Sequence, residues 1–155
     1  MRDSTRDYTI AQFRIYAALG YPSKAQVVAD ETMRQALRLD LLAVIDTLNA
    51  LTSSGKDYIR QAVCAVYFVA PTAPLQKGEI NLRVTKFAVS NYTDERTVFR
   101  WLKEARLLCA NFRGLNICTY CTNVRVIFLS GKNRLFHAND RLCKTHCDIF
   151  RCSLQ

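Results

Sequence analysis

The sequence predicts a mainly α-helical fold: a helical bundle over residues 1–114, followed by a small Cys-rich β-hairpin tail over residues 115–155. Three observations predict it. Apolar residues in the first part recur at three- and four-residue steps, the period of a helix with one buried face. Turn-forming residues interrupt that rhythm at 20–22, 52–55, 70–74 and 90–93. Beyond Gly114 the texture changes to cysteines and a β-branched run.

Residues 8–19 read as a short helix carrying Tyr8, Ile10, Phe13, Tyr16, Ala17 and Leu19, stopped by Gly20 and Pro22. Residues 25–51 contain neither Gly nor Pro, and Leu37, Leu41, Val44, Ile45 and Leu48 form the stripe of one long scaffold helix. Thr52-Ser53-Ser54-Gly55 breaks it. Residues 57–69 resume with Ile59, Val63, Val66 and Tyr67 as a third packing face, on which Cys64 is a core residue. After Ala70-Pro71-Thr72-Ala73-Pro74 come two more helices, 79–89 and 95–112, joined by Ser90-Asn91-Tyr92-Thr93 and ended by Gly114. A short helix, a tight polar turn and a second helix form the core of a helix-turn-helix, here spanning 77–114. In the tail, Val124-Arg125-Val126-Ile127-Phe128, then Ser130-Gly131-Lys132-Asn133 and Leu135-Phe136, read as a hairpin.

A chain of 155 residues excludes two large domains. Half the residues are apolar and 23% charged, so a core can form. No stretch reaches the ~18 uncharged apolar residues of a membrane span, and MRDSTRDYTIAQF carries acids where a signal peptide carries its apolar run. The expectation is a cytoplasmic protein without a membrane partner. Seven cysteines, an odd number, then point to reduced thiols or metal ligands rather than a disulfide frame.

The formal charge of +9 is unevenly spread. Residues 1–76 hold eight Lys/Arg against seven Asp/Glu, residues 77–114 eight against four, and residues 115–155 six against two. Such a bias favours a polyanionic partner, nucleic acid before membrane.

In the second helix of the motif Asp94 occupies the N-cap position, where its carboxylate accepts from free first-turn amides and complements the helix dipole. Counting from it, Val98, Trp101, Leu102, Ala105 and Leu108 share one face, whereas Glu95, Arg96, Arg100, Lys103 and Arg106 point elsewhere. A helix fits the DNA major groove, and arginine reaches two acceptors on guanine at once. Arg96 and Arg100 are the candidates for base reading; Lys77, Arg83, Lys86, Lys103, Arg106 and Arg113 are candidates for phosphate contacts. An ordinary amphipathic helix with a solvated basic face has the same pattern.

Asp-Glu-Arg-Thr-Val-Phe-Arg-Trp-Leu-Lys-Glu-Ala-Arg, residues 94–106, resembles the recognition helix of the sigma-factor region-four and response-regulator class, whose usual form is Ser-x-x-Thr-Val followed by basic and apolar steps. Ile80, Val84, Phe87 and Ala88 are similar to that class's supporting helix. The order of a helical first half, the 57–69 helix and this motif is similar to small sigma-like regulators of bacteriophages and prophages. The resemblance implies a double-stranded DNA-binding transcriptional regulator of mobile-element genes, with RNA polymerase as a second partner. Residues 1–55 match no motif of that class. Many helix-turn-helix proteins bind symmetric half-sites as homodimers, although no heptad seam here argues for one.

In the tail, Cys118-x2-Cys121 and Cys143-x3-Cys147, with His146 at the alternative spacing, present paired soft ligands on either side of the hairpin. Such a set suits one structural zinc, with Cys152 and His137 as spare ligands. Plain reduced core cysteines, or an extension without a selected role, fit the same residues. Two functional alternatives stand beside the regulator: a protein-protein adaptor whose basic face meets an acidic partner, and a zinc-containing nuclease built on His137, Asn139 and His146. Neither a phosphate-cradling Gly-rich loop nor a nucleophile elbow is present, which favours a non-enzyme.

Overall fold

A computed structural model describes residues 4–115, all within one compact unit, Met1–Ile117. Among the described residues there are six helices and no strand: α1 Ser4–Ala18, α2 Lys24–Ala29, α3 Gln35–Ser53, α4 Asp57–Tyr67, α5 Glu79–Ser90 and α6 Glu95–Phe112. The mainly helical expectation is met for these residues. The expected hairpin and the ligand set Cys118, Cys121, Cys143, His146 and Cys147 lie outside them.

α1 begins four residues before the apolar rhythm does, because its first turn is polar and has no buried face to show. It buries Ile10, Phe13 and Ala17 and ends as Gly20 and Pro22 predict. With Gly20 at φ +77°, Tyr21 N donates to Tyr16 O at 3.2 Å and Gly20 N to Ala17 O at 3.1 Å. This pair of bonds satisfies carbonyls that the helix end would otherwise orphan.

The single scaffold helix expected over 25–51 is two helices. Ser23 and Gln26 close a reciprocal capping box that starts α2. Asp30 then ends it: its Oδ1 accepts from Thr32 N at 3.0 Å and from Thr32 Oγ1 at 2.6 Å, and its carbonyl accepts from Arg38. Aspartate thus offers the backbone a local alternative to the helix, with no glycine or proline needed. α3 continues through Thr52 and Ser53, placed in the break by the sequence reading; their hydroxyls donate to Leu48 O and Asn49 O, so both side chains are satisfied without leaving the helix.

One main cluster joins α1, α3, α4, α5 and α6 through Phe13, Val44, Leu51, Ile59, Val63, Val66, Val84, Val98 and Leu102. Phe13 and Tyr67 stack with ring centroids 5.7 Å apart. Val27, Leu41 and Ile45 form a smaller cluster where α2 meets α3. Cys64 is half-buried against the main cluster, as expected for a packing residue. Among the described residues no helix is long and apolar enough to cross a membrane.

Candidate nucleic-acid interface

α5 and α6 are joined by residues 91–94. α5 starts at Gly78, whose φ of +84° a side chain would resist. Glu79 fixes that start by accepting from Gln76 N at 2.9 Å and from Arg83. At the other end Tyr92, not glycine, takes the left-handed position, φ +50°. Thr93 N donates to Ala88 O at 2.9 Å and Tyr92 N to Val89 O at 3.3 Å, the same end-capping pattern that closes α1.

α6 then starts where its sequence says it should, with Asp94 Oδ2 accepting from Thr97 N at 3.3 Å. The helix packs on α1, α3, α4 and α5. Val98, Leu102 and Ala105 are fully buried and Trp101 and Leu108 partly so, as the periodicity requires; Cys109 and Ala110 extend that face. Burial pushes the Cys109 thiol up to about 12, so it stays protonated at neutral pH. Trp101 meets Tyr58 of α4 with ring centroids 4.8 Å apart.

On the outer side Glu95, Arg96, Arg100 and Lys103 are exposed. Arg96, Arg100 and Lys103 follow one another at steps of four and three, so they form one stripe. Arg100 Nη2 donates to Thr97 Oγ1 at 3.1 Å, which orders the guanidinium along the helix. Glu104 is drawn away from the stripe by Lys56, at 2.6 Å.

Three of the cations expected at phosphates are committed elsewhere. Arg83 is only 9% exposed and donates to Val66 O at 2.9 Å and to Glu79. Arg106 is half-buried and donates to Tyr67 Oη at 2.6 Å. Position 106 lies one turn after Leu102 and one before Cys109, so it borders the buried face rather than opposing it. Burial pushes the Tyr67 phenol up, which keeps this a bond between a cation and a neutral hydroxyl. Arg113 is paired with Asp40, which also accepts from Tyr8 Oη at 2.8 Å. Lys77 and Lys86 are exposed and form no ion pair among the described residues; Lys86 lines a groove between α4 and α5 with Val69 and Leu82.

The candidate surface is therefore Arg96, Arg100 and Lys103, with Glu95 at its start and Lys77 and Lys86 nearby in sequence. Sequence reasoning missed Tyr92, the most exposed large apolar side chain among the described residues. Its one signal is a bulky residue at the helix end where glycine is usual. Among the described residues no group of three His, Cys, Asp or Glu side chains is placed to hold a metal ion. Comparison of the chain with protein-family models, curated proteins and solved structures returns no match.

Proposed function

We propose that this protein binds double-stranded DNA through a helix-turn-helix made of α5, residues 91–94 and α6, and acts as a sigma-like transcriptional regulator. One observation carries the reading: Arg96, Arg100 and Lys103 project as an exposed stripe from a helix whose opposite face is fixed in the core, and none forms an ion pair among the described residues. A rigid helix with free cations on one face suits the major groove, where arginine donates to guanine and lysine neutralises phosphate. Glu95, exposed beside Arg96, is suited to accept from a cytosine amino group. The resemblance of residues 94–106 to sigma region-four recognition helices supports the same partner.

Fluorescence anisotropy of the full chain on mixed-sequence duplex DNA at stepped salt tests this. Binding should weaken steeply with salt and weaken further in the double variant Arg96→Ala, Arg100→Ala. No binding at low salt, or a double variant that overlays the parent, would remove α6 as the DNA surface and favour an acidic protein partner. The cysteine set Cys118, Cys121, Cys143 and Cys147, with His146 as the alternative ligand, is proposed to hold one structural zinc. Purified full-length protein should then carry about one equivalent of zinc, and less than about a tenth of an equivalent with freely titrating thiols would end that proposal.

A further inference from the structure

Tyr92 is 99% exposed and sits at φ +50°, a backbone region that a bulky side chain enters only at a cost. The turn does not need a tyrosine. Its bonds run through backbone amides, Tyr92 N to Val89 O and Thr93 N to Ala88 O, and glycine at this position would make them with less strain. The ring meets no aromatic partner and the hydroxyl forms no hydrogen bond among the described residues. A local choice that works against the fold, with no contact among the described residues to offset it, leaves this side chain available to a partner.

The surroundings indicate what that is. Tyr92 shares an open groove with Val89, 72% exposed, and with Thr93, Asp94, Glu95 and Arg96 at the start of α6. The Asp94 carboxylate is turned onto the Thr97 amide and Glu95 follows it, so the phosphate-binding group here is the exposed Arg96 guanidinium; with the two apolar surfaces beside it, it suits a phosphate next to a deoxyribose. We propose that Tyr92 anchors the sugar-phosphate backbone at the edge of the groove entered by α6: its ring covers a deoxyribose and its hydroxyl donates to a phosphate oxygen. This rests on the DNA-binding reading above. Arg96 reaches the bases from one turn along, and Tyr92 fixes how deeply the helix sits.

The test uses the full chain on mixed-sequence duplex DNA, comparing the parent with Tyr92→Gly, Tyr92→Asn, Tyr92→Phe and Arg96→Ala. Gly and Asn both tolerate positive φ, so both variants should melt at or above the parent Tm. They should nevertheless bind roughly five- to twentyfold more weakly, and Tyr92→Phe should recover part of the loss. No charge is removed, so the salt dependence of the Tyr92 variants should parallel the parent's, whereas Arg96→Ala should flatten it by about one ion. Gly and Asn variants within about twofold of the parent, while Arg96→Ala weakens, would overturn the anchor and leave the DNA reading intact. A loss accompanied by a lower Tm would make Tyr92 structural and overturn it too. Tighter, Tyr92-dependent binding to a duplex with an unpaired base would replace the sugar contact by base stacking. A parent that binds no duplex removes the underlying reading itself.

Discussion

A guanidinium serves a polyanion only while its donors are free, and by that measure Arg83 and Arg96 differ. Arg83 is buried, with one donor on the Val66 carbonyl and another on Glu79. Truncating it leaves a buried carbonyl without a partner, so Arg83→Ala should cost about 1–3 kcal/mol in urea denaturation while leaving the salt dependence of DNA binding unchanged. Arg96→Ala should do the reverse: stability within about 0.5 kcal/mol of the parent, and a salt slope flatter by about one. A stable Arg83→Ala protein with a flattened slope would reassign Arg83 to the interface. Glu79, its partner, adds a pH signature. Its carboxyl is held below the usual carboxylate range, first by the Gln76 amide and then by Arg83. A lowered folded-state value means that the stabilisation is complete above the unfolded value, about 4.3, and fades as pH falls through the lower folded one. The Tm gap between the parent and Glu79→Gln, open at neutral pH, should therefore close as the pH falls below about 4. A gap constant down to that pH would mean that charge at Glu79 does not hold the start of α5.

At the scale of elements, α6 is both the helix that offers cations and one that much of the bundle is built around. Leu102 is fully buried on it within the cluster shared by α1, α3, α4 and α5. Leu102→Ala should cost about 2–5 kcal/mol by leaving a cavity, measurable by denaturant titration; a loss below about 1 kcal/mol would mean that the site collapses or that α6 docks loosely. The same double role explains what the sequence could show. Val98, Leu102 and Ala105 against Arg96, Arg100 and Lys103 were legible because burial and exposure both follow the helical period. Asp94 was legible because a cap is a local device. Arg106 was not, because a border position turns inward or outward according to what a distant helix offers, here the Tyr67 hydroxyl. The commitments of Arg83 and Arg113 were hidden for a related reason: the Val66 carbonyl and Asp40 lie 17 and 73 positions away in the chain. The break between α2 and α3 was hidden because Asp30 and Thr32 make it with side-chain hydrogen bonds, which leave the apolar spacing intact. Tyr92 was overlooked because a single exposed aromatic in a turn has no period at all.

For the whole molecule, the count of Lys/Arg overstates how many cations are placed to meet a polyanion. Residues 77–114 carry eight Lys/Arg, yet Arg83, Arg106 and Arg113 are held by Glu79, Tyr67 and Asp40. What remains is Arg96, Arg100 and Lys103 on α6, with Lys77 and Lys86 beside α5. Each phosphate neutralised on B-DNA releases about 0.9 of a counterion, so the α6 stripe alone should give a log-log salt slope of about −3, and all five cations about −4.5. An arginine that reads bases lies near phosphates and contributes to this total electrostatically, so the double variant Arg96→Ala, Arg100→Ala should flatten the slope by about two. These bounds separate the surfaces the chain could use. A parent slope between about −3 and −5, flattened by the double variant, is what a DNA surface centred on α6 predicts. A slope steeper than about −5, little changed by that variant, would place the phosphate contacts outside α5 and α6, among the eight Lys/Arg of residues 1–76 or the six of residues 115–155. In that case α6 would be a packing helix with a solvated basic face, and another basic part of the chain would hold DNA.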